Sequence, residues 1–338
     1  MNIRKFIVAV GVGLCIGACS AFAALWIRAQ WFKPKPADLL HVNVSVLNFE
    51  ASTLLVVARD QHFFEKYGLD VALRTDAQVI SEEYTLLQKE QTDVVVGTDY
   101  GFVSNVSLTT STTILASIGS KQSVTRIIAR KNAGITRITD IRGKKIGVPE
   151  NTIASFQAGL FLGNNNIPLT DVTFVYVSPD ALGRALSSGE VDAVAIWDPI
   201  ATMIEQQLGN SVVSWNSTEE ATNLLLITDH RLTQYPEHIQ GLLRALIDAE
   251  IYTKSHAKEA QASVVSAFNL SPAYVADIWQ WYDFSVSLPQ EVVVRMENQF
   301  DWMMRHQLLP PHADKGFYQS FDARYLKSID PNRVSLIQ

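Results

Sequence analysis

The spacing of apolar and polar positions between residues 41 and 97 predicts an alternation of strands and helices. Some stretches alternate or have the spacing of amphipathic helices, and the last is a continuous apolar run of the kind found in buried parallel strands. The predicted strands are His41–Leu47, Leu69–Leu73 and Asp93–Gly97, and the predicted helices are Thr53–Tyr67 and Glu82–Lys89. This β-α-β-α-β order is typical of a mainly parallel α/β sheet.

The same order of elements recurs about 100 residues later in the chain. The predicted strands there are Lys145–Val148, Val172–Val177 and Asp192–Ile196, and the predicted helices are Ser155–Asn164 and Asp180–Ser187. Acidic landmarks repeat at nearly the same offset, in the pairs Glu50 and Glu150, Asp70 and Asp171, Asp93 and Asp192, and Asp99 and Asp198. We therefore predict two α/β lobes of similar build.

Two further strand-like segments are predicted to connect these lobes. Val124–Ala129 leads from the first repeat into the second, Asn223–Thr228 leads back, and the remainder, Pro236–Gln338, is strongly helical. The predicted lobes are residues 40–128 together with 225–338, and residues 129–224. Because the chain crosses twice, we expect a cleft between the lobes and a hinge at Ala129–Lys131 and Thr228–Asp229.

Residues 1–36 are predicted to form an export or anchor segment followed by a tether. Arg4 and Lys5 precede Phe6–Ile27, which holds no charged residue. Three interpretations compete: a signal peptide cleaved after an Ala-x-Ala site, a lipoprotein signal with Cys19 as the lipidated residue, and a retained anchor long enough to span a bilayer. In all three the basic start stays in the cytoplasm, so we expect the rest of the protein on the extracytoplasmic side, periplasmic or anchored to the membrane.

Composition excludes several classes of protein. Of the 338 residues 47% are hydrophobic and 18% are charged, which rules out a disordered or coiled-coil chain. The net charge is −6 although residues 1–37 carry only basic charges, so the body of the protein, residues 37–338, is acidic and a poor candidate for binding nucleic acid.

Chemistry that depends on cysteine is excluded from the body as well. Cys15 and Cys19 are the two cysteines of the chain, so the body has neither a disulfide nor a cysteine nucleophile. The sequence also lacks the H-E-x-x-H and G-x-S-x-G motifs of metalloproteases and of α/β-hydrolases. We therefore predict no enzyme activity, no cofactor and no metal site.

Several short motifs follow one another in a fixed order along the body. They are Phe63-Phe64 with Gly68-Leu69-Asp70, Ile138-Thr139-Asp140-Ile141-Arg142-Gly143, Gly189-Glu190-Val191-Asp192, Trp197-Asp198-Pro199 and Tyr325-Leu326-Lys327. With these motifs, residues 42–335 resemble the solute-binding proteins of ABC importers in the nitrate, sulfonate, taurine and pyrimidine-precursor (thiamine-precursor-like) class. Two glycines that are usual in that class are replaced, by His62 and Glu90.

The resemblance implies a fold and a partner. The fold is an α/β, two-lobed periplasmic-binding-protein clamshell of type II, with two crossover strands and a helical C-terminal segment. Such a protein closes on a small molecule and presents it to an ABC permease in the inner membrane.

Ligands of open α/β sheets bind beyond the carboxyl ends of the strands. We therefore expect ligand contacts directly after the buried strands, and near the segment Ser117–Ser123 before the first crossing. The candidate residues are Asn48, Phe49, Glu50, Thr98, Asp99, Tyr100, Asn151, Thr152, Ser155, Trp197 and Asp198. The carboxylates near these strand ends are those of Glu50, Asp99, Glu150 and Asp198. Together they would make the cleft negative, which disfavours nitrate and simple sulfonates and favours an amine-bearing or zwitterionic ligand such as an aminosulfonate or a pyrimidine precursor.

These candidates also have purely structural interpretations. Thr152, Ser155 and Asp198 precede helices and can act as N-caps, and the aromatic residues can belong to the core. The function has alternatives too: a membrane-tethered domain that senses its ligand, or an enzyme without a cysteine nucleophile on the same clamshell fold. The sequence favours a protein that captures a small organic solute between its lobes.

Overall fold

The computed structural model describes residues 39–46, 50–75, 80–109, 111–122, 125–150, 152–217, 221–313 and 316–337. The N-terminal segment, with its three competing interpretations, lies outside these residues. Within the described ranges, no helix combines the length and the apolar character that crossing a membrane would require.

The described strands form two sheets, one in each predicted lobe. In chain order they are β1 (Leu40–Ser45), β2 (Leu69–Arg74), β3 (Val94–Thr98), β4 (Thr112–Lys121), β5 (Thr125–Arg130), β6 (Lys145–Val148), β7 (Thr173–Tyr176), β8 (Ala193–Trp197), β9 (Val212–Asn216), β10 (Thr222–Asp229) and β11 (Tyr282–Asp283). The first sheet has the order β11-β4-β10-β3-β1-β2, and the second has the order β7-β6-β8-β5-β9.

The two sheets repeat one arrangement of neighbours. In the first sheet β2, β1 and β3 run parallel, and β10 lies antiparallel between β3 and β4. In the second sheet β7, β6 and β8 run parallel, and β5 lies antiparallel between β8 and β9. β5 is the strand through which the chain enters the second lobe, and β10 is the strand through which it returns to the first. The predicted repeat of two α/β units is therefore confirmed.

One pair of repeated aspartates has the same role in both lobes. Asp93, directly before β3, accepts a hydrogen bond from the backbone N–H of Asn43 in β1 at 2.8 Å. Asp192, directly before β8, accepts one from the backbone N–H of Lys145 in β6 at 3.0 Å. Each carboxylate thus satisfies a donor of the neighbouring strand that the ladder leaves free.

Helices cover the sheets, and the long ones lie mostly in the C-terminal part. In chain order they are α1 (Thr53–Asp60), α2 (Phe63–Lys66), α3 (Ile80–Gln88), α4 (Asp99–Ser104), α5 (Val106–Thr109), α6 (Ile153–Asn164), α7 (Leu182–Ser188), α8 (Ile200–Leu208), α9 (Pro236–Ser255), α10 (Ala257–Phe268), α11 (Pro272–Ile278), α12 (Gln290–Arg305) and α13 (Arg324–Ile329). Short 3₁₀ helices span Glu50–Ser52, Lys131–Ala133, Ile138–Ile141, Leu169–Asp171, Pro179–Ala181, Gly209–Ser211, Leu232–Gln234, Trp279–Trp281, Phe317–Ser320 and Pro331–Arg333.

The chain changes sheets earlier than the sequence pattern predicts. It passes to the second sheet between β4 and β5, and it returns to the first between β9 and β10. The predicted boundaries after residues 128 and 224 therefore fall inside strands, and the expected hinge segments Ala129–Lys131 and Thr228–Asp229 lie at the far ends of β5 and β10. An apolar pattern locates a strand but does not tell which sheet the strand joins.

The single helix predicted over Thr53–Tyr67 is divided into α1 and α2. His62, between them, has a backbone φ of 57°, and Glu90, after α3, has the same value. These are the two positions at which the resembled class has glycine. The left-handed region crowds Cβ against the following carbonyl oxygen, so glycine is favoured there. The backbone of His62 and of Glu90 is therefore strained.

The second lobe packs against the first through helix α6. Phe156 is buried within the core of the first lobe. Its ring centroid lies 5.2 Å from that of Tyr100 in α4 and 5.0 Å from that of Trp302 in α12. The lobes are therefore in contact through buried aromatic side chains.

We expect Glu90→Gly to raise the free energy of unfolding by about 0.5–1 kcal/mol. Relief of the left-handed backbone strain exceeds the entropy that glycine adds to the unfolded chain. Urea denaturation measures the difference. Glu90→Ala is the matched control, because it removes the same carboxylate but keeps Cβ. An equal gain in both variants would assign the effect to the charge and contradict the backbone explanation.

Candidate functional site

Glu50 is a fully buried carboxylate that follows the end of a strand. It begins the 3₁₀ helix Glu50–Ser52 after β1, and no part of its side chain is exposed. Its Oε1 accepts three hydrogen bonds, from Lys121 Nζ at 3.1 Å, from Tyr274 Oη at 3.2 Å and from Tyr282 Oη at 3.0 Å. One oxygen of the carboxylate is thus fully occupied and holds the group in one orientation.

The two tyrosines are held in their protonated, donating form. Burial raises the pKa of Tyr274 and the pKa of Tyr282 well above the usual value, and the negative charge of Glu50 raises both further. Lys121 Nζ also lies 5.1 Å from the centroid of the Tyr282 ring, within the range of a cation–π contact. The cluster is therefore a charge pair with two neutral donors.

A second ionic cluster lies at the end of β8 in the other lobe. The guanidinium of Arg126, on β5, donates hydrogen bonds to Asp198, Glu205 and Thr202. Asp198 also accepts bonds from the hydroxyl of Thr202 at 2.7 Å and from its backbone N–H at 3.3 Å. Asp198 thus accepts a backbone N–H of the first turn of α8, but from the position before the N-cap, which is Pro199, and in addition it is half of an ion pair.

Charged groups of both clusters shift the pKa of the same tyrosine, Tyr274. Besides burial and Glu50, the negative charge of Asp198 raises the pKa of Tyr274, and the positive charge of Arg126 lowers it. Asp198 acts on the pKa of Tyr282 in the same direction. Charges that follow β1 in the first lobe and β8 in the second therefore both act on the tyrosines of the C-terminal segment.

Four buried oxygen atoms near the chain crossings have no hydrogen-bond partner among the described residues. They are Glu50 Oε2, Thr125 Oγ1, Ser217 Oγ and Thr222 Oγ1. Thr222 pairs with Lys121 across the first sheet, and the backbone N–H of Ser217 donates to the carbonyl of Thr125 at 2.9 Å. An unpartnered buried polar group costs roughly 1–3 kcal/mol, so a collection of them indicates a place that a ligand or water completes.

Thr98 and Asp99, two predicted ligand contacts of the first lobe, both have hydrogen-bond partners. Thr98 is the N-cap of α4 and accepts from the backbone N–H of Gly101 at 2.9 Å. Asp99 is fully buried and accepts from Tyr100 N at 2.7 Å and from Asn223 N and Nδ2 at 3.0 and 2.8 Å. Burial raises the pKa of Asp99, and these hydrogen bonds oppose that rise. Both side chains are thus bonded within their own lobe.

The predicted contacts of the second lobe lie at the lobe–lobe contact and at β8. Ser155 shares a side-chain hydrogen bond with Tyr100 across the lobes, and burial raises the pKa of that tyrosine. Thr152 Oγ1 donates to the carbonyl of Pro149 at 2.9 Å, and Ser155 Oγ donates to that of Thr152 at 2.7 Å. Neither hydroxyl therefore caps α6. Trp197 ends β8 and is half-buried.

The remaining predicted residues lie only partly within the described ranges. Asn48, Phe49 and Asn151 lie outside the described residues. Glu150 is exposed. Of the four carboxylates expected to make the cleft negative, Glu50 bonds to both tyrosines, Asp198 raises their pKa, and each of the two is paired with a cation. In the described part of the chain, no group of three or more side chains has the arrangement of a metal site.

Sequence reasoning missed four residues of the site. Lys121 lies inside the segment singled out before the first crossing, and Arg126 lies on the crossing strand, so position along the chain pointed toward both. Tyr274 and Tyr282 come from the C-terminal segment, more than 220 residues after Glu50. No local pattern connects residues so far apart.

Comparison with known proteins identifies a family and a fold for this chain. A family model described as NMT1/THI5 like matches residues 50–260. A Brucella abortus protein that is provisionally named a binding protein is 24% identical over 233 residues, which are 66% of this chain and 70% of that protein.

Solved structures share the fold. The periplasmic aliphatic sulphonate binding protein of Escherichia coli matches with a TM-score of 0.69 and 17% identity, over 85% of this chain and 99% of that one. The alkanesulfonate-binding protein of Xanthomonas axonopodis pv. citri, bound to MOPS, matches with a TM-score of 0.68 and 17% identity over the same shares.

These matches confirm two predictions made from the sequence. The two-lobed α/β fold of the periplasmic binding proteins is confirmed, with its helical C-terminal segment. The resemblance to that class of solute-binding proteins is confirmed as well: the NMT1/THI5-like family model covers more than half of the chain, and sulfonate- and nitrate-binding proteins share its fold. The chain belongs to the NMT1/THI5-like family.

Proposed function

We propose that this protein is the extracytoplasmic solute-binding component of an ABC importer. It captures one small organic molecule between its lobes and hands it to a permease in the inner membrane without changing it chemically. The observation that carries the proposal is the set of unpartnered buried oxygens at the two crossings, framed by an ion pair from each lobe. The sulfonate-binding structures that share the fold support it.

The arrangement suits reversible capture. Pockets for small molecules combine aromatic surface with a few fixed polar groups, and here Tyr274 and Tyr282 bond to Glu50, while Trp197 directly precedes the ion-paired Asp198. The groups come from both lobes and from the C-terminal segment, so movement at the crossings would separate them and open the site. Binding energy would thus be available only in the closed form.

The place of action follows from the N-terminal segment. Whether that segment is cleaved, lipidated at Cys19 or retained, its basic start leaves the ligand-binding body outside the cytoplasm. A retained or lipidated N-terminus would hold the protein at the membrane beside its permease.

We expect a thermal-shift screen of amines, aminosulfonates and pyrimidines to produce a clear hit with the purified protein. Ligand at about 100 times its Kd should add roughly 2.7 kcal/mol to the free energy of unfolding. Mass spectrometry after incubation should recover the ligand unchanged. Conversion into a product would contradict a binding function and favour the enzyme alternative.

We expect Asp198→Asn to weaken binding of that ligand roughly 10- to 150-fold, because it removes a charge-assisted contact while asparagine still accepts from Thr202. Glu205→Gln is the matched control, since it removes another carboxylate from the same Arg126 and should change affinity less than threefold. Isothermal titration calorimetry measures both. Equal losses would mean that Asp198 acts only by positioning Arg126.

We also expect Trp197→Leu to weaken binding, because leucine keeps an apolar side chain but removes the ring face. Calorimetry with the same ligand tests it. Affinity within twofold of the parent for both Trp197→Leu and Asp198→Asn would show that the ligand does not contact the end of β8.

A further inference from the structure

We propose that Glu50 determines the specificity of this cleft by accepting a hydrogen bond from a nitrogen of the ligand. The ligand class is then a small amine or amino-substituted ring, as opposed to a simple sulfonate or nitrate. This inference rests on the proposed function and concerns which solute the same site selects.

The two oxygens of the Glu50 carboxylate differ in their hydrogen-bond partners. All three described donors, Lys121, Tyr274 and Tyr282, bind Oε1, and none binds Oε2. An Oε1 that already accepts three hydrogen bonds has no capacity for a fourth, so the group cannot take a two-pronged partner. It can accept a donor at Oε2, and its orientation is fixed before the ligand arrives.

A buried carboxylate oxygen without a hydrogen-bond donor, such as Glu50 Oε2, costs free energy. Glu50 is completely buried, and hydrogen bonds to charged groups are the strong ones. Lys121 balances the charge of the carboxylate but is itself bound to Oε1, so the balance does not satisfy Oε2. Oε2 of Glu50 therefore lacks a hydrogen-bond donor, and a nitrogen-bound hydrogen of a solute supplies one.

The charges of the two ion-pair clusters bear on which solute suits Glu50. The cations Lys121 and Arg126 are matched against the carboxylates of Glu50, Asp198 and Glu205. A desolvated sulfonate or nitrate would find both cations already paired and a carboxylate oxygen facing it, which is repulsive at close range. An amine, or the amino group of a ring, has the complementary sign.

The experiment compares ligands that differ only in the nitrogen. The pairs are 2-aminoethanesulfonate with propane-1-sulfonate, and 4-aminopyrimidine with 4-methylpyrimidine. In each pair a methyl group replaces the amino group at similar size. Calorimetry with the wild-type full-length protein should show at least tenfold tighter binding of the amino member of one pair.

Variants then assign the preference to Glu50. Glu50→Gln keeps the shape and the acceptor at the Oε1 position but puts an NH₂ group in place of Oε2, so it should reduce affinity for the amino ligand roughly 10- to 150-fold and abolish the preference. The matched control is Glu250→Gln. Glu250 is also a buried carboxylate of the first lobe, bonded to Arg333 and Lys254, and its substitution should keep the preference.

The outcomes separate the two proposals. The role of Glu50 is overturned if the wild type binds both members of each pair equally, or if the preference survives in Glu50→Gln. In either case water is the partner of Oε2. Because the ligand pairs are measured on the wild type, the inference stays testable if Glu50→Gln does not fold. Binding of propane-1-sulfonate alone would overturn the ligand class and leave solute binding intact. Absence of any binding, here and in the wider screen, would contradict the proposed function itself.

Discussion

The position of strand β10 is the constraint on which the rest of this structure depends. It lies antiparallel between β3 and β4, and every one of its residues is buried. That pairing sets Thr222 opposite Lys121, so the chain returns to the first lobe beside the place where it left. It also brings Asn223 against Asp99 and thereby fixes the start of α4. The two crossings, the ion pair of Glu50 and the lobe–lobe contact all follow from this one insertion.

Paired charges, more than net charge, define the chemistry of the cleft. The carboxylates near the strand ends predict a negative site, but Glu50 and Asp198 each have a cation beside them. Removing ions from water is costly unless they are paired and hydrogen-bonded, so a buried cluster of this kind must be nearly balanced before a ligand enters. What remains for recognition is the direction of individual lone pairs and donors, and Glu50 Oε2 is such an acceptor.

Local patterns predicted the elements because each strand and helix buries one face or the whole of its length. The repeat was predictable for the same reason, and the shared role of Asp93 and Asp192 gives one of its four landmark pairs a structural cause. The rule that sites lie at the carboxyl ends of strands found Glu50 and Asp198. It could not tell Asp99, which is bonded within its own lobe, from a group that faces a ligand.

Tertiary pairing explains what the sequence did not reveal. The sheet to which β5 and β10 belong depends on long-range register, and the tyrosines that bind Glu50 reach it from a helix and a strand distant in the chain. The turn at His62 was hidden because a helical pattern continues through it, although the replacement of a usual glycine was visible in the sequence.

The most direct measurement is a crystal structure of the protein with the solute that stabilises it. The account predicts density for one unchanged molecule between Glu50 and Asp198, with a ligand nitrogen within about 3.2 Å of Glu50 Oε2. A solute bound outside the space between the lobes, or a protein side chain occupying Glu50 Oε2, would contradict it.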